Sequence, residues 1–413
     1  VVAGTRPEAI KLSPVVHALR RQISRRTTPV SIIATGQHAE ATVDQFRAFG
    51  LSVDHELTYL RKTNSLLASV TDTFHLIATK CKAADATMMI VQGDTFSALA
   101  GALAGQFAKI PVAHVEAGLR TGNVREPFPE ELNRRMITRI ADVHFAPTRM
   151  AMKNLAAEGV AAERSCLVGN TMVDALDDTL ARLDAAADAV DQGCNKKHPK
   201  QAVGRYFSTD ASVLVTLHRR ENWGNAVANV CNGLRELAAR HPDLTWHFIG
   251  HLNPELRANI LERLKGSLIK FSPPQDRLAF IEKLTRASFV ITDSGGVQEE
   301  AITLGKPVFV LRRLSERPEG LDHNRLLDPE SADWWNSIDD VVASQDIGRT
   351  AKVTRHNTHA GPFGDGRASQ RIAVALSRYQ KKRWPLLPPN LAFSAPQIRT
   401  RQAEAEPAMQ TNP

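Results

Sequence analysis

Cysteine is scarce in this chain: four in 413 residues, at Cys81, Cys166, Cys194 and Cys231. They form no Cys-x-x-Cys pair and no histidine pair stands at zinc spacing, which argues against a disulfide framework or a structural metal site. Tyrosine and tryptophan are also few, at three and five, so stacking platforms for single-stranded nucleic acid are poorly supplied. Charge is not of one sign: 52 Lys and Arg against 44 Asp and Glu leave +8. That balance permits nucleic acid or an anionic small molecule as partner, and composition does not choose between them; against nucleic acid, the basic residues are scattered among acids, and the short clusters Arg20-Arg21, Arg25-Arg26 and Lys381-Lys382-Arg383 read as solvated faces. No run of about 18 apolar residues occurs, since the greasiest stretch, Phe96 to Ala108, is interrupted by Gln106 and glycines, and no membrane span is expected. The first residues carry no charged segment followed by an apolar core, so a cytoplasmic location is expected. The chain begins with Val1 and its first strand is short, so an upstream piece is expected to be missing.

What is present is a globular composition, 43% hydrophobic and 23% charged, and a length that suggests two to three domains at about 150 residues each. Short β-rich apolar runs alternate with helical patterns, the signature of parallel sheet covered on both faces. Strands are read near Val1 to Ala3, Val30 to Ala34, Thr87 to Val91, Val112 to Val115, Val143 to Ala146 and Cys166 to Val168. After a polar stretch from Asp184 to Lys200 they resume near Val213 to Leu217, Thr245 to Ile249, Leu268 to Phe271, Phe289 to Thr292 and Pro307 to Leu311. Two sheets imply two domains with a ligand cleft at the carboxyl ends of their strands.

Polar residues sit at those ends. Gly4-Thr5-Arg6-Pro7-Glu8 leads from the first strand into a helix carrying Lys11, where a cation near the helix start calls for a counter-anion. Gly93-Asp94-Thr95 repeats the design, with Asp94 either a helix cap or a site acid, and Glu116 follows a third strand. Pro129-Glu130-Glu131 opens a helix that pairs Glu130 with Arg134 and Glu131 with Arg135 at i,i+4, an arrangement open to a surface reading or to proton transfer. Asp94, Glu116 and Glu130 form one candidate acid/base cluster.

The second half supplies anion-binding groups. Asp293-Ser294-Gly295-Gly296 turns a strand into a helix whose free N–H groups suit phosphate oxygens, with Glu300 one turn on at the distance for ribose hydroxyls. His218, Arg219 and Arg317 follow other strands, either as diphosphate ligands or as structural ion-pair partners.

Gly4-Thr5-Arg6-Pro7-Glu8-Ala9-Ile10-Lys11, His114-Val115-Glu116-Ala117-Gly118-Leu119-Arg120, Pro129-Glu130-Glu131 with Arg134, His218-Arg219-Arg220-Glu221-Asn222 and Asp293-Ser294-Gly295-Gly296-Val297-Gln298-Glu299-Glu300 together resemble the non-hydrolysing UDP-N-acetylglucosamine 2-epimerases. The resemblance runs from Val1 to about Glu319 and returns at Phe363-Gly364-Asp365-Gly366. It implies an α/β protein of two Rossmann-like domains facing across a cleft, of the glycosyltransferase-B type, as a homodimer. The domains would be 1–172, with the acid/base residues, and 173–364, which binds UDP. A helix at 365–383 would cross back to the first domain, ahead of a disordered tail at 384–413.

The resemblance also implies the reaction: UDP leaves UDP-GlcNAc to give 2-acetamidoglucal, then re-adds with the C2 proton delivered to the other face, without a cofactor or metal. Asp94, Glu116 and Glu130 would transfer protons, His218 assist near the diphosphate, and Arg6 and Lys11 serve in the active site. Ser294, Gly295 and Gly296 would hold the diphosphate, Glu300 the ribose, and Gln275 and Phe280 the uracil, with Arg134 orienting the acids and Arg317 the diphosphate. A second UDP-GlcNAc would act as activator near Gln37, Glu131, Arg219 and His251. Residues 320–337 depart from the family pattern: they are acidic, contain Trp334-Trp335 and show no obvious strand. The alternatives are a hydrolysing 2-epimerase releasing ManNAc and UDP, an epimerase for a modified UDP-hexosamine, a glycosyltransferase, and a catalytically dead nucleotide-sugar-binding protein.

Overall fold

The computed structural model describes residues 1–22, 29–35, 39–57, 66–193, 211–219, 222, 224–343 and 361–394. In the first lobe β1 (Val2–Ala3), β2 (Ile33–Ala34) and β3 (His55–Glu56) form one parallel ladder, and β4 (Met89–Gln92), β5 (Val112–Val115), β6 (Val143–Ala146) and β7 (Ser165–Leu167) form another. β1 lies beside β4, so the chain doubles back at that junction. The strand β3 carries no apolar run, only His55 and Glu56 half in solvent, which is why periodicity missed it.

In the second lobe β8 (Ser212–Thr216), β9 (Thr245–Ile249), β10 (Ile269–Ser272), β11 (Phe289–Thr292), β12 (Val308–Leu311) and β13 (Asn324–Leu327) form one parallel sheet in the order β10-β9-β8-β11-β12-β13. The order reverses between β8 and β11, the switch point at which doubly wound sheets open a crevice for ligand. Both strands are buried along their whole length, as a sheet covered on two faces requires.

The expectation of no strand in 320–337 is overturned by β13, which pairs in parallel with β12. Its apolar signal is only Leu326 and Leu327, and the segment is fixed instead by tertiary packing. Trp334 is 3% exposed and fills the space left by the missing side chain of Gly233 on α8 (Asn225–Arg240). Asn229 of the same helix donates to the carbonyls of Pro329 and Ser331 at 2.8 and 2.6 Å.

Glycine serves close approach in α4 (Phe96–Phe107) as well. Side chains at Gly101 and Gly105 would run into Val91 and Val112, so the helix lies directly on its strands. The last helix, α13 (Ala368–Gln380), buries Ile372, Ala373, Ala375 and Leu376 in the first lobe's core beside Leu12, Val15 and Leu19 of α1 (Arg6–Gln22). Its first turn is capped by Asp174 of α7 (Thr171–Gly193), which accepts from the N–H groups of Ala368 and Ser369 at 3.1 and 2.8 Å.

A disordered tail from 384 is not what residues 384–394 form. Leu386 joins the first lobe's core, and Phe393 is buried under the Arg371 guanidinium, 5.5 Å from the ring centre. Pro-rich sequence hid these two anchors, and residues 395–413 lie outside the described ones. No described helix is long and apolar enough to cross a membrane.

Candidate active site

The loops at the carboxyl ends of β1, β4, β5, β8, β11 and β12 meet in one charged network joining the lobes. Lys11, on the second turn of α1, lies between two carboxylates: it contacts Glu116 directly and stands 3.0 Å from Glu299 Oε2. Glu299 belongs to α11 (Gly295–Thr303) in the other lobe. Arg317, after β12, bonds Glu299 Oε1 at 2.6 Å, contacts the neighbouring Glu316, and reaches Glu116 Oε1 at 3.8 Å. Arg134, in α5 (Glu130–Ile140), bonds Asp94 at 2.5 Å and Glu131 at 3.2 Å, and faces Glu316 at 3.6 Å. Glu316 is further paired with Arg219 at 3.3 Å and Arg312 at 2.7 Å. Five cations, Lys11, Arg134, Arg219, Arg312 and Arg317, thus meet five acids, Asp94, Glu116, Glu131, Glu299 and Glu316, mostly out of solvent.

The local backbone explains the aim of each acid. Asp94 does not cap α4; Thr95 does, accepting from the Ala98 N–H at 3.0 Å. That frees the Asp94 carboxylate for Arg134, while its carbonyl is held by the Asn133 amide at 2.8 Å. Glu116 sits at φ 65, a left-handed conformation that a non-glycine residue adopts at a cost and that recurs at functional sites.

Burial and neighbours pull the two acids apart. Burial raises Asp94, but Arg134 and then Arg219 overcome it and hold its pKa below the ordinary carboxylate value. Burial raises Glu116, Lys11 opposes, and the Glu299 carboxylate pushes the same way as burial, leaving its pKa above the ordinary value. Glu316, ringed by guanidinium groups led by Arg317, is driven well down despite its burial. Two acids with opposite shifts in one site are the material for separate base and acid roles.

On the second lobe, buried Asp293 organises the switch point. It accepts from the backbone N–H groups of His218 and Arg219 at 2.7 and 3.0 Å and from the Asn222 amide at 2.9 Å. The His218 ring, its side chain 41% exposed, faces the His251 ring at 5.4 Å. Desolvation lowers its pKa, with Asp293 opposing, which favours a neutral imidazole.

Other expected positions are placed as follows. Arg6 reaches across to donate to the Gln275 carbonyl at 3.0 Å, and Phe280 packs beside the core that includes Val173 and Leu176. Ser294 precedes α11 without capping it through its side chain. Gly296 faces Met172. A side chain at Gly295 would strike the Arg317 guanidinium. Glu300, expected on a ribose, is bonded to Arg277. Arg134 meets Asp94, Glu131 and Glu316, and Glu131 and Arg135 pair at 3.4 Å. Of the four positions expected at an activator site, Glu131 and Arg219 fall within the central network, His251 stands against His218, and Gln37 lies outside the described residues. Glu299, Glu316 and Asp293 carry much of the geometry and were given no role from sequence. Their only signal was adjacency, since each stands next to a residue already singled out.

The family profile described as UDP-N-acetylglucosamine 2-epimerase matches residues 21–377. The chain belongs to the UDP-N-acetylglucosamine 2-epimerase family. It is 37% identical to the UDP-N-acetylglucosamine 2-epimerase of Yersinia pestis over 383 residues, covering 92% of this chain and 98% of that one. Among solved structures, UDP-GlcNAc 2-epimerase from Neisseria meningitidis bound to UDP-GlcNAc superposes with a TM-score of 0.80 at 32% identity, covering 91% of this chain and 98% of that chain. The Methanocaldococcus jannaschii UDP-GlcNAc 2-epimerase in complex with UDP-GlcNAc and UDP gives 0.73 at 31% identity, with the same coverage, 91% and 98%. The fold shared with these epimerases is of the glycosyltransferase-B type, two parallel α/β lobes with the charged network between them.

Proposed function

We infer that this epimerase interconverts UDP-N-acetylglucosamine and UDP-N-acetylmannosamine by eliminating and re-adding UDP. In the elimination a carboxylate takes the C2 proton, the C1–O bond breaks with its electron pair leaving on UDP, and a C1–C2 double bond forms. Re-addition reverses each change, with the proton given to the opposite face of C2. The observation that carries this reading is the meeting in one inter-lobe network of Asp94, held on Arg134, and Glu116, held between Lys11 and Arg317, and the opposite displacement of the two acids accords with it. Asp94, held ionised by Arg134, is suited to accept a proton, and Glu116, pushed toward the neutral form, to donate one. Glu130, at the start of α5, is the third candidate.

Because the five cations of the network are already matched by acids, the diphosphate needs other partners. Arg6, the His218 ring and the N-terminus of α11 supply them, the last through the Ser294 hydroxyl and the N–H groups of Gly295 and Gly296 aligned with the helix dipole, since the Ser294 N–H is already bonded to the Thr292 hydroxyl at 3.0 Å. Gln275 and Phe280 stand for the uracil side and Glu300 for the ribose, which it would meet on leaving Arg277. The same reading includes a homodimer, a cytoplasmic location, and a second UDP-GlcNAc beside Glu131, Arg219 and His251 as activator.

The test is incubation with UDP-GlcNAc in deuterated water, read by NMR. Intact UDP-ManNAc carrying deuterium at C2 is the expected result. Stoichiometric release of free ManNAc and UDP would instead establish a hydrolysing enzyme, and unlabelled nucleotide sugar would end the proton-transfer reading.

A further inference from the structure

Glu8 is a buried acid to which the chemistry above gives no part. It lies in the first turn of α1, 2% exposed. Its Oε2 accepts from the Gly4 N–H at 3.0 Å and the Thr5 hydroxyl at 2.8 Å. A glutamate at the third helical position commonly reaches back to its own helix start, here to the N–H of Gly4 and the hydroxyl of Thr5. Its Oε1 does something else, accepting from the hydroxyl of Thr95 at 2.6 Å, 87 residues away. Thr95 is the cap of α4 and directly follows Asp94.

One carboxylate therefore ties the end of β1 to the end of β4, where the first lobe's strand order doubles back. Arg6 stands on one side of the tie and Asp94 on the other. The surroundings are tight, since a side chain at Gly4 would strike Ser97 and Thr35, whose hydroxyls bond each other at 2.7 Å. The influences on Glu8 are burial and then hydrogen bonds from Thr95, Thr5 and Gly4. Burying a carboxylate against hydroxyl and amide donors alone is costly, and a serine or asparagine would cap either helix more cheaply. The extra reach to Thr95 is what only the longer acid provides.

We propose that Glu8 is a positioning residue: it clamps the loop carrying Arg6 to the loop carrying Asp94, so that the group binding diphosphate and the group taking the proton keep a fixed separation. The role rests on the elimination reading above. Its energetic logic is that displacing a reacting group by about 1 Å costs on the order of a hundredfold in rate.

The test compares steady-state epimerisation of UDP-GlcNAc by the wild type, Glu8→Gln, Thr95→Val, Thr95→Ser and the double variant Glu8→Gln/Thr95→Val, with circular dichroism to confirm folding. Glu8→Gln is expected to lower kcat about 10 to 100-fold while KM changes less than about threefold. Thr95→Val should reproduce that loss, Thr95→Ser should keep the wild-type rate, and the double variant should be no slower than the slower single. If Glu8→Gln does not fold, Glu8→Asp serves: it keeps the charge and is one methylene too short to reach Gly4 and Thr95 together, so the same loss is expected. A folded Glu8 variant with wild-type kcat, or losses that multiply in the double variant, overturns the clamp. A wild-type chain that leaves UDP-GlcNAc unchanged overturns the reaction reading instead, and the clamp with it.

Discussion

Arg134 of the first lobe stands 3.6 Å from Glu316 of the second while bonding Asp94 at 2.5 Å with the same nitrogen. A proton-transfer candidate in one lobe is thereby oriented through an acid anchored in the other. Glu316 is shared with Arg219, Arg312 and Arg317, so the relation is a node and not an isolated pair.

Replacing either acid with its amide separates chemistry from folding. Asp94→Asn and Glu116→Gln are expected to lower C2 deuterium incorporation at least a hundredfold, the range removed with a general acid or base, while leaving near-native circular dichroism. Wild-type exchange in either variant would remove that residue from the proton-transfer pair.

Glu316→Gln would leave four guanidinium groups without their shared anion. Removing one partner of a buried ion pair costs about 3–5 kcal/mol, and a loss of that size in urea unfolding is expected. A loss below about 1 kcal/mol would show that solvent screens the node.

Gly295→Ala places a methyl group where the Arg317 guanidinium lies. Overpacking of this kind costs about 1–3 kcal/mol, and Arg317 must leave Glu299 to relieve it. Lower thermal stability together with slower epimerisation is expected, and Gly295→Ala with Arg317→Ala should recover part of the stability. An unchanged melting curve for the single variant would refute the contact.

The Glu8 carboxyl is raised by burial from its ordinary 4.5 to about 7, against hydrogen bonds that lower it. An acid with a raised folded-state pKa contributes stability that is present below pH 4.5 and is lost as pH rises through 7, amounting to about 3 kcal/mol. In Glu8→Gln that dependence disappears. Between pH 4.5 and pH 8 the urea stability of the variant should therefore improve relative to wild type by about 3 kcal/mol, and parallel curves would place Glu8 in a more polar setting.

Much of this is legible in the sequence. Alternating apolar strands and helices put Arg6, Asp94, Glu116, His218 and Ser294 at strand ends, and parallel topology sends all strand ends of a lobe to one edge. Missed were elements without an apolar signature, such as β3 at His55–Glu56 and β13 at Asn324–Leu327, whose order comes from neighbouring strands and from Trp334 seated at Gly233. Missed too were the partners of charges. The i,i+4 rule offers Arg134 a neighbour on its own helix, but says nothing of Asp94 and Glu316, which reach the same guanidinium from other elements.

The sequence by itself determined the family, through motifs that resemble it, and the α/β class and the side of each sheet on which chemistry gathers, because periodicity and turn residues act over a few neighbours. Only the tertiary structure decided which acid meets which cation, why Gly295 must be small, and that Glu8 reaches Thr95. Those outcomes depend on separations of a few ångströms between residues tens to hundreds of positions apart, and on the burial that sets the local dielectric, neither of which sequence spacing records.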